Sequence, residues 1–187
     1  MKMLIEFFKE IAKNENGKLY LHDKDISFGD GTRSPNVIFK IKFEYKSNQF
    51  TIINQTGTNY VGTISCKLSD DLQPIPFEID TISHLKNLFL RRKSRFVLKS
   101  ENQNVLHFLK TNNALNLLSE IADKEDFPPL VVCSLDGYWS IVCKYHLEFD
   151  DWTQVIEPII ALYKNLIDEF EKRIANINHG QYRELNS

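Results

Sequence analysis

The sequence predicts an α+β protein, in which a mainly antiparallel β-sheet, made of a meander and a hairpin at Asp136 and Gly137, carries segregated helices including a long C-terminal one. Three observations carry this expectation. Residues 37 to 46 alternate strictly, with Phe39, Ile41, Phe43 and Tyr45 on one side and Lys40, Lys42, Glu44 and Lys46 on the other. That is the period of a strand with one wet face. Asp136 and Gly137 separate two β-rich runs, and Gly supplies the positive φ that a type I′ turn needs. From Asp151 onward, Val155, Ile156, Ile159, Ile160, Leu162, Tyr163, Leu166, Ile167, Phe170 and Ile174 form a broad stripe at helical spacing.

The remaining elements follow in order. Residues 2 to 13 place Met3, Leu4, Phe7, Phe8 and Ile11 on one helical face, before a breaker at residues 14 to 17. A short strand over residues 18 to 22 leads through a turn-rich segment, 28 to 36, into the alternating strand. Ser47 and Asn48 turn the chain back into residues 49 to 53, and a second polar loop precedes a strand over residues 60 to 68. Ile75, Phe77 and Ile79 alternate, but Pro74 and Pro76 restrict that run to a sheet edge or a strand start. Residues 81 to 91 read as a helix with Ile82, Leu85, Leu88 and Phe89 as its apolar stripe. Phe96 and Leu98 mark a strand, and Ser100 to Gln103 reads as a capping box for a helix carrying Val105, Leu106 and Leu109. Asn112 and Asn113 interrupt that helix before Leu115, Leu118 and Ile121 resume its spacing.

For the hairpin, a two-residue turn sets Leu135 opposite Tyr138 and Cys133 opposite Ser140. Cys133 and Cys143 then lie on opposite faces and cannot bridge, and both faces of the hairpin need cover. Pro158, more than a turn inside the last helix, should kink it. That helix ends before His179 and Gly180, and residues 181 to 187 form a frayed tail. One domain over residues 1–187 is expected, divisible into a meander half, 1–72, and a mixed half, 73–180.

Composition bounds the function classes. The 187 residues include 23 Lys or Arg against 25 Asp or Glu, a net charge of −2, too balanced for a nucleic-acid tail. With 42% hydrophobic residues, 7 Gly and 6 Pro, disordered and fibrous classes are excluded. Glu6 and Lys9 break the apolar start, so no signal peptide is read, and no apolar run is long enough to span a membrane. The chain therefore reads as cytoplasmic, with no membrane among its partners. Three cysteines, Cys66, Cys133 and Cys143, give neither a disulfide framework nor a zinc knuckle, and buried reduced thiols are expected.

Three clusters are candidates for sites. Arg91, Arg92, Lys93 and Arg95 could hold an anion, although cations after a helix also complement its dipole, and no interleaved aromatics accompany them for stacking on nucleic acid. His146, Glu148 and Asp150 would share a face if the strand ran that far and could ligate a metal; a strand end leading into an Asp-capped helix accounts for them without one. Tyr20, Tyr60 and Tyr138 stand at strand ends or turns, where a partner could use them. The glycines at residues 29 and 31 lack the following helix that a phosphate loop needs, Cys143 and His146 diverge along a strand, and no glycine-flanked Ser elbow occurs.

No catalytic motif and no cofactor are expected. The reading is a non-catalytic cytoplasmic protein-interaction module, of adaptor, chaperone-like or immunity type, whose partner is another protein. The alternatives are a small-molecule-binding domain or enzyme with a pocket between the 130–145 hairpin and the C-terminal helix, and phosphate or nucleic-acid binding through Arg91 to Arg95, with nucleic acid disfavoured.

Overall fold

The computed structural model describes residues 2–27, 33–57, 59–90, 94–125 and 127–184, with side chains left out at 26, 27, 33 and 175–184. The chain is α+β, with α1 (Lys2–Asn14), β1 (Lys18–Asp23), β2 (Ile26–Ser27), β3 (Arg33–Ser34), β4 (Val37–Tyr45), β5 (Asn48–Thr56) and β6 (Val61–Lys67) in its first part. It continues through β7 (Phe77–Thr81), α2 (His84–Leu90), β8 (Phe96–Lys99), α3 (Gln103–Thr111), α4 (Asn113–Lys124), β9 (Leu130–Asp136) and β10 (Tyr138–His146). A 3₁₀ turn, Trp152–Val155, then leads into α5 (Ile156–Glu184). Eight strands form one antiparallel sheet in the order β1-β4-β5-β6-β10-β9-β7-β8, and β2 pairs with β3 apart from it.

Register explains why this sheet has a dry face. Leu19, Ile41, Ile52, Ile64, Cys143, Val131, Ile79 and Leu98 are successive cross-strand neighbours, one from each of the eight strands. One residue along, Lys18, Lys42, Thr51, Ser65, Val142, Val132, Glu78 and Lys99 make the corresponding row on the other face. Alternation with period two thus sorts apolar from mostly polar side chains across the whole sheet. Helices cover the apolar face. Phe8 of α1 stacks on Phe39 of β4 at 4.4 Å between ring centroids, and Tyr163 of α5 donates its hydroxyl to the Ile64 carbonyl of β6 at 3.0 Å.

Several local expectations are corrected. The β4–β5 turn is Lys46 and Ser47, with φ of 48° and 61°, and Tyr45 pairs with Asn48. Asn48 is buried because its amide donates to the carbonyls of Tyr45 at 3.1 Å and Lys46 at 2.6 Å and accepts from the Ser69 N–H at 2.9 Å. The hairpin register also differs by one. Asp136 pairs with Tyr138, Cys133 with Ile141 and Val131 with Cys143, and Gly137, at φ 67°, makes the tip. This register collects Val131, Cys133, Ile141, Cys143 and Tyr145 on the core face and leaves Ser134, Ser140 and Lys144 outside. A clean apolar face outweighs the preferred loop length. The two thiols therefore share a face; both are buried and free, as is Cys66.

Helix ends differ for similar reasons. Asn102 caps α3, its side chain accepting from the N–H groups of Asn104 at 3.0 Å and Val105 at 3.1 Å, while Ser100 donates to the Pro76 carbonyl. Asn112 caps α4 in the same way, through Ala114 and Leu115. Pro158 lies in the first turn of α5 rather than inside it, where its missing N–H would lack an intrahelical partner anyway. Pro74 and Pro76 precede β7, which runs inside the sheet between β9 and β8. The α5 backbone continues past Gly180 to Glu184.

Candidate interaction surface

The expected apolar stripe of α2 is not buried. Leu85 is 70% exposed, Leu88 73%, Phe89 83% and Leu90 52%, and no residue of the helix is buried. Ile82, expected in the same stripe, lies before the helix and is buried. The helix is short because it only bridges the end of β7 and the start of β8. Ser83 starts it, accepting from the N–H of Lys86 through its hydroxyl at 3.3 Å and of Asn87 through its carbonyl at 2.9 Å. Its four large apolar side chains point around more than one side, since Leu90 stands off the line of Leu85, Leu88 and Phe89 at 100° per residue. Such a helix cannot hide its apolar surface by lying on the sheet.

Arg95 holds the base of this projection. Its side chain is buried, its Nε donates to the Ile82 carbonyl at 2.9 Å, and its Nη1 donates to the carbonyls of Ala122 and Glu125. The same Nη1 lies 2.7 Å from Nε2 of His84, the first residue of α2. A guanidinium can only donate, so the imidazole nitrogen accepts. Arg95 thus ties the root of α2 to the C-terminal end of α4, satisfying carbonyls that the helix leaves open. Its Nε and Nη1 donors are thus engaged in the interior. The other three expected anion ligands, Arg91, Arg92 and Lys93, lie outside the described residues.

The remaining candidates do not assemble. Among the described residues no group of three or more His, Cys, Asp or Glu is placed to hold a metal, so His146, Glu148 and Asp150 form no such site. The strand ends at His146, whose Nδ1 accepts the Glu148 N–H at 3.2 Å, and the chain turns before Asp150. The neighbouring Asp151 caps the 3₁₀ turn through the Thr153 N–H at 3.2 Å. Tyr20, Tyr60 and Tyr138 are all exposed but dispersed. Tyr20 lies on β1 and Tyr138 on β10, four strand steps apart in the sheet, or about 19 Å. Tyr138 is covered on one side by the Lys67 ammonium, 5.0 Å from its ring centroid.

The space between the hairpin and α5 offers no opening on the hairpin side, where Val131, Cys133, Ile141 and Cys143 are fully packed. None of the three thiols is poised as a nucleophile. Burial pushes the Cys133 thiol up to about 12 and raises Cys66 and Cys143 as well, opposite to the shift that makes a reactive thiolate. A cleft of about 470 Å³ does open at the sheet edge, between β8 and the α3–α4 pair, lined by Phe96, Leu98, Leu109, Leu115, Lys110 and Ser119 among others. Ser94, joined to Ser119 by a 2.7 Å hydroxyl contact, closes one end.

Little in the sequence flags α2: of the six Lys or Arg from residue 81 to residue 100, one, Lys86, lies in the helix. The cleft had no sequence signal, because its walls come from three separate elements. No helix of the described residues is long and apolar enough to cross a membrane. No family model, curated protein or solved structure matches this chain.

Proposed function

We propose that this chain is a non-catalytic protein-interaction module that grips a protein partner through α2. The observation that supports the reading is the exposure of Leu85, Leu88, Phe89 and Leu90 on a helix with no buried residue. Large apolar side chains grouped on one projection mark a contact surface, where scattered ones would mean nothing. Aromatic and aliphatic anchors on a rigid base are the usual source of binding energy, and Arg95 supplies the rigid base. Lys86, exposed on the same helix, favours a carboxylate at the rim of the partner surface. The three unpaired buried thiols suit a reducing compartment, and the proposal places the module in the cytoplasm.

The test is a photo-crosslinking amino acid at position 89 or, as control, at position 42 on the polar sheet face, combined with Leu88→Ser/Phe89→Ser. We expect a discrete crosslinked protein from position 89 only, competed away by unlabelled wild type and not by the double variant. Because these side chains are exposed, the double variant should keep its stability within about 0.5 kcal/mol. A loss of stability above about 2 kcal/mol would show that α2 is packed in solution, and crosslinks from position 42 alone would move the contact elsewhere; either result overturns the reading.

A further inference from the structure

We infer that the outward face of the sheet is a track for single-stranded nucleic acid, a second surface that goes beyond the α2 contact and does not depend on it. The net charge of −2 averages over the chain and hides how the fold sorts its charges. On β1, β4, β5, β6 and β10, the positions turned away from the helices hold five lysines, Lys18, Lys40, Lys42, Lys67 and Lys144, against one acid, Glu44. Lys67 lies at the far corner over the Tyr138 ring, with Asp136 opposite Tyr138 and Asp70 in the same shallow groove, so its charge is locally balanced. The other four are not offset in this way. Lys18, Lys42 and Lys144 are exposed and Lys40 is half-buried. Among the described residues the ion pairs engage Lys9, Lys46, Lys99, Lys164 and Arg173, and none engages these four or Glu44.

Register fixes where the cations stand. Lys18 faces Lys42 directly across β1 and β4, with Cβ atoms about 5 Å apart, and Lys40 is the next outward position of β4, about 7 Å along the strand. Like charges directly opposite one another destabilise a sheet, so three ammoniums gathered without an ion pair gain when an anion lies over them. From Lys40 the outward row runs through Ile53 and Thr63 to Lys144, three strand steps or about 14 Å away. The floor between is short and rich in hydroxyls, with Thr51, Thr63 and Ser65 half-buried.

The chemistry of this face selects the anion. Tyr20 faces Lys40 across β1 and β4 and is 44% exposed, so a ring that can stack on a base stands beside a cation for its phosphate, the combination that single-strand binders use. A protein contact draws its energy from large anchors clustered near its centre, and the centre here is Thr51, Ile53, Thr63 and Ser65. A bilayer surface is entered by Trp, Phe or Leu, and none of these occupies an outward position on the five strands. A duplex keeps the faces of its bases stacked inside, out of reach of Tyr20, whereas a single strand offers them. The track is four strand steps from β1 to β10, or about 19 Å, which suits the lower end of single-strand sites of about 4 to 16 nucleotides.

The test is fluorescence anisotropy of the whole chain with an end-labelled oligothymidylate of about twelve nucleotides. With four phosphates neutralised, each adding about 0.7 to the salt slope, affinity should fall about 50-fold between about 50 and 200 mM salt. Lys18→Gln/Lys42→Gln should weaken binding at least ten-fold at the lower salt and reduce the salt dependence to about seven-fold. Tyr20→Ala should weaken it at least five-fold through lost stacking, and Lys86→Gln, on α2, should leave it unchanged. Circular dichroism checks folding, and Lys144→Gln, on another strand, serves if the double variant does not fold. Absence of binding at the lower salt, unchanged affinity in the lysine variants, or a duplex of equal length bound as tightly would each overturn the inference. So would preferential binding of an oligoglutamate of equal length or of phosphatidylserine vesicles, or a dimer by light scattering that Lys18→Gln/Lys42→Gln dissociates. These variants leave α2 untouched, so position-89 crosslinking reports on the other surface separately.

Discussion

At the scale of single residues, Arg95 and Ser47 show how position decides what a side chain does. In the sequence Arg95 belongs to a run of cations and looks like its neighbours; in the fold its guanidinium sits inside and meets the carbonyls of Ile82, Ala122 and Glu125. Arg95→Ala leaves those acceptors without donors, at about 1 to 3 kcal/mol each when buried, so an overall loss of about 3 kcal/mol or more is expected in urea denaturation. Arg95→Lys should recover only part, because an ammonium lacks the planar fork. Ser47 holds φ 61°, a left-handed conformation that costs a non-glycine residue about 1 to 2 kcal/mol. Lys46 accepts the same strain at φ 48° while its ammonium pairs with Asp168 and Glu171 of α5, both at 2.7 Å. Ser47→Gly should raise stability by about 0.5 to 1 kcal/mol, seen as a melting temperature about 2 °C higher. Neither feature was legible beforehand: a cation count carries no direction, and the turn could be placed only to within one residue.

Among the elements, legibility followed the strength of periodic pattern. β4, β5 and the stripe of α5 are readable because their apolar positions repeat regularly, and their burial follows that pattern; in α1, Phe8 and Ile11 are buried as expected, but Met3, expected on the same face, is 86% exposed. Leu166, at the centre of the α5 stripe, is fully buried. Leu166→Ala should cost about 2 to 5 kcal/mol by transfer and cavity terms, whereas Glu171→Ala, which loses one exposed ion pair with Lys46, should cost about 1 kcal/mol or less. Chemical denaturation of the two variants checks the contrast. The hairpin register and the fate of α2 were not legible, because each depends on what lies beside the element. β6 selects the hairpin face by pairing Ile64 with Cys143 and Cys66 with Ile141, whereas α2 buries none of its residues. β6 also carries Gly62, where an added Cβ would meet the Tyr145 ring at 2.3 Å and Asn54 Oδ1 at 2.8 Å. That bare backbone lets the Tyr145 hydroxyl reach Asn54 Oδ1 at 2.8 Å. Gly62→Ala should therefore destabilise by about 1 to 3 kcal/mol through overpacking, with a loss of Tyr145 hydrogen-bond protection in NMR.

For the whole molecule, the dry side of the sheet ties stability to alkaline pH. The Cys66, Cys133 and Cys143 thiols and the Tyr145 and Tyr163 phenols all have raised pKa values through burial. A neutral acid held above its unfolded pKa stabilises fully below that value, and the contribution is lost as the pH climbs toward the folded value, because only the unfolded chain ionises. For the thiols that window opens near pH 9, so urea midpoints should be flat from about pH 7 to 8 and fall from pH 9 upward, less steeply in Cys133→Ala. Thiol reagents at pH 8 should label the native chain slowly and the unfolded chain at once. The strand order carries one more consequence. β6 and β7 follow each other in the chain, yet β10 and β9 stand between them in the sheet, and these arrive more than sixty residues after β6. On a ribosome the first four strands of the meander can pair as they emerge, but the rim of β6 and that of β7 stay open until the hairpin is out, and the wedge then closes both at once. In the finished sheet those rims stand about 14 Å apart, a gap that nothing but the hairpin spans, so the two parts of the sheet are joined last, by the strands made last.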